Sequence, residues 1–284
     1  MFELILENKN GDQINFAQNS AFTITEIQGL NPPSATINTS QIALMDGAMF
    51  NSSKLNVRTI NVAFAIEYAA AQNRIEVYKV LKSKQWIKLT YNGQYRQVAI
   101  EGYIGSIDIS YFDMKQIVTC SIICPSPYLK SAQTIIDELQ NVIGTFYFPF
   151  SSTADPQIMF SHYGTDVPIA IENDGDVECG MIINVSVMGS VSDPKIVNCS
   201  TNEFIGVDYD FVLGDLITID TRQGHKTVTL LRNGMETNLF NYVLQDSTWL
   251  QLPIPGASFM GEVGTGSNAD LSIQIIHDNL YEGV

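Results

Sequence analysis

The sequence has no run of about 18 apolar residues, so it offers no helix able to cross a membrane. Four cysteines, Cys120, Cys124, Cys179 and Cys199, are spread over 284 residues, too few for a disulfide scaffold. They also lack the second short-spaced ligand pair that a zinc site needs. The three histidines, His162, His225 and His277, are scattered and form no i, i+4 metal pair. No phosphate-binding loop occurs: "GEVGTG" at 261–266 has the wrong glycine order for a dinucleotide turn and sits among strands. The N-terminal "MFELILENKNGDQ" lacks the basic start and small-residue cleavage site of a signal peptide, so a protein made and folded in the cytoplasm is expected. Positive charge is scarce in the second part. Residues 1–130 hold 11 Lys/Arg against 10 Asp/Glu, a net +1, and residues 131–284 hold 4 against 20, a net −16, within a total of −15. Neither part has a basic patch able to bind duplex nucleic acid by counterion release, and the contrast suggests two domains in different surroundings.

What is present is β pattern. "TINVAFAIEY" (59–68) places Ile60, Val62, Phe64 and Ile66 on one face. "WIKLTY", an Asn92-Gly93 turn and "YRQVAIEGYIGSIDIS" read as a hairpin. "QIVTCSIIC" reads as a further strand with Cys120 and Cys124 on the same side, as buried free thiols. Between these, "AAAQNRIEVYKVLKSK" (69–84) predicts a helix whose apolar face is Ile75, Tyr78 and Leu81, with lysines toward its C-terminal end. Strands around one helix indicate an α+β domain over residues 1–130. Residues 131–167 form a linker apolar enough to be packed, and "SAQTIIDELQN" within it suits a short helix. From 168 to 284 short strands recur between glycine turns, the pattern of an antiparallel sandwich or jelly roll.

Three stretches are candidates for function. "ENDGDVE" (172–178) clusters Glu172, Asp174, Asp176 and Glu178, but it lacks the frame of a calcium loop and reads as a tight Asp-Gly turn. Trp249, with Tyr209, Phe240 and Tyr242, has the chemistry to stack on a sugar or a partner, although such aromatics in alternating strands are usually core. "MDGAMFNSSKL" (45–55) sets Met45, Met49, Phe50 and Leu55 in a segment, Ser34 to Asn56, that shows no convincing element. An irregular arm with that much apolar surface has to pack on something: either a neighbouring copy or its own domain.

That same region, "EIQGLNPPSATINTSQIALMDGAMFNSSKLNVRTINVAFAI", resembles the N-terminal signature of the distal tail proteins (Dit) of long-tailed bacteriophages. The resemblance rests on Gly29, Leu30, Pro32 and Pro33, then Asn38, Thr39 and Ser40, then Asp46, Gly47, Phe50, Asn51, Ser52 and Ser53, then Arg58. "EGYIGSIDI", "SIICPSPYL", "FYFPF", "IENDGDVECG", "GDLITIDTRQGHKTV" and "LLRNGMETNLFNYV" extend it over nearly the whole chain. The closing "LPIPGASFM" departs from the Leu-x-x-Gly-Asn more usual in that family. The resemblance implies an α+β N-terminal ring (belt) domain followed by an all-β galectin-like sandwich, mostly β overall. It implies a homohexameric hub at the virion tail tip, assembled in the bacterial host cytoplasm, that joins the tail tube protein to the tail-tip (tail-associated lysin) protein and docks receptor-binding or baseplate proteins. Such a hub needs no catalytic residue, metal or cofactor. The arm residues Met45, Met49, Phe50 and Leu55 are then expected at the oligomer interface. The alternative function is a host-glycan-binding module acting through the C-terminal sandwich.

Overall fold

The structure, a computed structural model, describes residues 3–16, 21–44, 46–111, 115–139, 141–144, 161–164 and 167–284. The chain divides into two compact units: Met1–Ala132 with Leu280–Val284, and Gln133–Asn279. The first contains β1 (Glu3–Asn8), β2 (Gln13–Asn15), β3 (Phe22–Gln28), β4 (Ala35–Ser40), β5 (Met49–Leu55), β6 (Arg58–Ile66), α1 (Ala70–Val80), β7 (Trp86–Asn92), β8 (Gln97–Ile109), β9 (Gln116–Cys124) and β10 (Leu129–Ser131). Its sheet runs β2-β1-β7-β8-β9-β6-β3. The long β8 shares one of its edges between two partners: Val98 and Ala99 pair with β10, and Tyr103 to Ile109 pair with β9.

Strict alternation builds the core of this unit. Ile60, Val62, Phe64 and Ile66 of β6 are all buried, as expected, and so are Val118, Cys120, Ile122 and Cys124 of β9. Phe64 is the hub of an aromatic cluster, edge-on to Phe16 at 4.9 Å and to Phe22 at 5.7 Å, a geometry that favours aromatic pairs. The expected hairpin forms, but its loop is 93–96 rather than Asn92-Gly93: Asn92 ends β7 and pairs with Gln97. The helix forms too, but of the expected face Ile75, Tyr78 and Leu81 only Leu81 is buried. Val77 and Val80 are buried with Leu81, whereas Ile75 is 58% exposed and Tyr78 also faces outward. Apolar residues lie all round this short helix, so its periodicity does not select a face; packing against β1, β2 and β6 does.

All four cysteines are free. Burial pushes the thiols of Cys120 and Cys179 up to about 12 and that of Cys124 up to about 11, the last opposed by the charge of Arg58. Since the thiolate is the reactive form, the native protein at about pH 8 is expected to take a single maleimide, at the half-exposed Cys199. The other three should react only on unfolding. Mass spectrometry over a labelling time course checks this, and early multiple adducts would contradict the burial.

The second unit contains β11 (Ile135–Glu138), β12 (Asn141–Gly144), β13 (Ser161–Gly164), β14 (Ile169–Glu172), β15 (Cys179–Val187), β16 (Val191–Ser192), β17 (Lys195–Asn198), β18 (Phe204–Gly206), β19 (Asp210–Phe211), β20 (Leu216–Asp220), β21 (Thr227–Arg232), β22 (Met235–Asn238), β23 (Gln251–Leu252), β24 (Gly256–Glu262) and β25 (Leu271–His277). One sheet runs β11-β25-β15-β20-β21-β22, with β23 on β15; another runs β14-β24-β17-β18. Their strands bury alternate residues, such as Met181, Ile183 and Val185 on β15 and Ala257 and Phe259 on β24. Each sheet thus has one buried face, the pattern of sheets packed face to face.

Two expectations need correction. The segment expected to be a helix, "SAQTIIDELQN", instead places Ile135–Glu138 in an edge strand paired with β25. Its side chains alternate half-buried and exposed, and His277 of β25, fully buried, reaches Asp137 at 3.2 Å. The sandwich was also expected to continue to Val284. The last strand, β26 (Leu280–Tyr281), instead pairs with β10 in the first unit. The aromatic "FYFPF" lies outside the described residues.

Candidate functional site

The segment from Ser34 to Asn56 is not irregular. It is a two-stranded antiparallel hairpin, β4 against β5, that forms a sheet of its own. Its register explains its chemistry. Ala35 faces Leu55 and Ile37 faces Ser53, but the ladder shifts after Asn38, so that Thr39 faces Phe50 and Ser40 faces Met49. Directly paired residues point to the same side of a ladder, and one extra residue reverses the side of everything beyond it. Asn51 is that residue. It moves Phe50 onto the face that carries Ala35, Ile37 and Leu55. The opposite face carries Thr36, Asn38, Ser40, Ser52, Lys54 and Met49. Side chains on that face bond to one another: Asn38 Nδ2 donates to Ser52 Oγ at 2.9 Å, and Asn51 Nδ2 donates to Ser40 Oγ. At the base, Thr36 Oγ1 donates to Asn56 Oδ1 at 2.8 Å.

The bulge therefore gives the arm one polar and one apolar face. The apolar one has little cover: Ile37 is 62% exposed, Phe50 61%, and Leu55 is half-buried. Leu44 and Ile42 in the connecting loop are also exposed. Of the residues expected at an interface, Phe50 and Leu55 share this face, Met49 (55% exposed) lies on the other, and Met45 is outside the described residues. Ile37 and Leu44 were missed. A strand exposed on both faces leaves no burial alternation, and the shift at Asn51 hides the parity that links Ile37 to Phe50. A lone two-stranded hairpin is marginal in water, and exposed apolar strands are aggregation sites unless something covers them.

The arm is anchored by Arg58, the first residue of β6 and only 3% exposed. Its guanidinium donates to four carbonyls: Nε to Pro127 at 2.7 Å, Nη1 to Gly29 at 2.6 Å and Asn31 at 2.8 Å, and Nη2 to Glu282 at 2.7 Å. Burial lowers the Arg58 pKa from its usual value, and the nearby Cys124 and Glu282 oppose that shift. Gly29 adopts φ +92°, and a Cβ there would sit 2.2 Å from the Thr59 carbonyl oxygen. Glycine is therefore required where this turn crosses β6.

The other candidates have simpler roles. In "ENDGDVE" the turn is organised by Asn173, 1% exposed, whose Oδ1 accepts from the Gly175 amide at 2.9 Å and whose Nδ2 donates to Val177 and Leu252 carbonyls. Among the described residues no three His, Cys, Asp or Glu are placed to hold a metal ion. Trp249 is half-buried; its ring stacks on Phe240 at 5.8 Å, and the Lys226 ammonium lies 5.5 Å from its centroid. Tyr209 packs instead with Phe211 and Tyr242, so the four aromatics do not form one platform. A shallow cleft of about 440 Å³ is lined by Asp208, Tyr209, Asp210 and Arg232. Its guanidinium is already committed to Asp215, through two bonds of 2.8 and 2.5 Å, and to the Asp210 carbonyl. Those bonds hold the Asp215 carboxyl below its usual range.

Two family models match the chain. One, a phage tail protein RIFT-related domain, covers residues 9–150; the other, a siphovirus-type tail component C-terminal domain, covers residues 174–272. The sequence has no match among curated proteins. Among solved structures, the fold is similar to that of phage SPP1 Dit, described as a paradigm of hub adsorption apparatus in phages infecting Gram-positive bacteria. The TM-score is 0.68 at 15% identity, over 98% of each chain. It is also similar to a chain of the phage P2 baseplate in its activated conformation, with a TM-score of 0.56 at 12% identity over the whole of both chains with calcium, and 0.53 at 12% with strontium.

Proposed function

Since the chain belongs to the distal tail protein family of siphoviruses, and is thus a structural tail component, we propose that it forms the hexameric hub ring of a tail tip. The observation that carries this reading is the amphipathic arm, whose apolar face has little cover among the described residues of the protomer. A head-to-tail ring supplies that cover, each arm lying on the next copy. In this reading the first unit closes the ring between the tail tube protein and the tail-tip (tail-associated lysin) protein. The second unit, galectin-like in arrangement, receives a receptor-binding or baseplate protein. The particle is assembled in the host cytoplasm and ends at the virion tail tip. Light scattering on the purified protein should give a hexamer or an equilibrium that includes one. A monomer within an assembled tail would end the idea. Glycan binding through Trp249 is disfavoured by that ring's contacts with Phe240 and Lys226.

Charge supports a docking partner with a basic face. Residues 133–279 carry 4 Lys/Arg against 19 Asp/Glu, a net −15, and the remainder is balanced at 11 against 11. A near-neutral unit closes on copies of itself without strong repulsion, and an acidic one attracts a basic face. Affinity for the docked baseplate protein should therefore fall as salt shortens the Debye length from about 10 Å at 0.1 M. An affinity that stays flat across a salt series would reduce the acidity to a solubility feature.

A further inference from the structure

We propose that residues 280–284 are a strap that fixes the feet of the arm, so that the arm becomes ring-competent only after the second unit has been synthesised. The inference rests on the reading of the arm as the ring contact. The strap is bound along its length. Leu280 and Tyr281 extend the sheet by pairing with Lys130 and Leu129. The Tyr281 ring lies under the Arg96 guanidinium at 4.7 Å, and Arg96 Nη1 donates to the Gly283 carbonyl at 2.6 Å. Gly283 packs so closely on the turn before the arm that a Cβ there would meet Pro32 Cδ at 3.2 Å and the Leu30 oxygen at 3.3 Å. The Val284 amide donates to the Leu30 carbonyl at 3.3 Å.

Arg58 couples the strap to the arm. It lies three residues past the end of β5, so it is the outgoing foot. Its Nη1 holds the Gly29 and Asn31 carbonyls, just before β4, so it also grips the incoming foot. Its Nη2 takes the Glu282 carbonyl, 224 residues away in sequence. A guanidinium is a rigid planar fork, so its bonds set one another's geometry. Before the strap arrives, Nη2 lacks that acceptor and the turn at Leu30 to Pro32 lacks its cover. A buried charge short of a partner is costly, and the feet are then free to open. Synthesis runs from the N-terminus and domains fold as they emerge, so Glu282 is delivered only after residues 133–279. The ordering keeps nascent chains from associating through arms that are still incomplete.

The test compares the full chain, a chain ending at Asn279, and Arg58→Lys in the full chain. Hydrogen exchange is followed at residues 29–36 and 54–58, alongside ring formation by mass photometry. Both variants should keep protection of β15 and β25, exchange about tenfold faster at the feet, and form rings only at about tenfold higher concentration, the size expected for loss of a charged hydrogen bond. Should the shortened chain lose protection of β6 and β9, the decision passes to Arg58→Lys, which keeps the charge and the strap but cannot reach four carbonyls. A variant that retains β6 and β9 and assembles like the full chain overturns the proposal. So does unchanged exchange at the feet. If the full chain itself forms no ring, the ring reading fails, and exchange at the feet alone then decides the strap.

Discussion

Replacing Ile37 and Phe50 together with alanine is expected to abolish ring formation and to leave the protomer folded. Both side chains are more than 60% exposed in the protomer, so their loss removes little from its own core. In a ring each is buried once per contact, at about 1.5–3 kcal/mol per large apolar side chain. The pair thus costs each contact about 3 kcal/mol or more, roughly a hundredfold in its equilibrium constant, and the loss recurs at every contact around the ring. Met49→Ala, on the polar face opposite, should have a much smaller effect. Mass photometry reads the assembly and calorimetry reads the protomer. A double variant that melts well below the parent and still assembles would show that the arm covers its own domain.

Phe64→Ala should lower the melting midpoint of the first unit by roughly 10–20 °C and leave the second unit in place. Phe64 is fully buried on β6, which is paired on both sides, by β3 and β9. Truncating a buried phenylalanine costs about 3–5 kcal/mol, part transfer and part cavity. For a domain of this size 1 kcal/mol shifts the midpoint by about 4 °C. The loss falls on one unit because the core cluster around Phe64 draws only on residues of the first unit. Calorimetry should show one transition moving and another staying. A shift below about 1 kcal/mol would mean that Phe16 and Phe22 collapse into the space.

How much of this was legible in the sequence depends on burial. Where a strand has one wet face, alternation marks it, and β6, β7, β8 and β9 were readable to within a residue or two. Where burial does not vary, the signal fails. The arm is exposed on both faces, and its strands are held by Asn, Ser and Thr pairs that resemble loop residues. The helix is apolar on several sides, so Val77 and Val80 were not separable from Ile75 and Tyr78. The strand Ile135–Glu138 is four residues long, shorter than any period that would tell it from a helix. The strap is shorter still in regular structure, and its partners lie 150 or more residues away. Arg58 was visible as part of a family signature. Its role was not, because its acceptors are backbone carbonyls, which have no letter in the sequence.

Because β26 lies beside β10, with Leu280 opposite Lys130, the chain leaves the first unit and re-enters it at a single spot. The second unit is an insertion, and insertions are tolerated where the two junctions are close together. A recombination event with breakpoints at this spot exchanges residues 133–279 as one cassette. The arm, Arg58 and the strap come through unchanged. Such an exchange would replace the acidic part of the chain, net −15, in a single step and leave the balanced unit as it is.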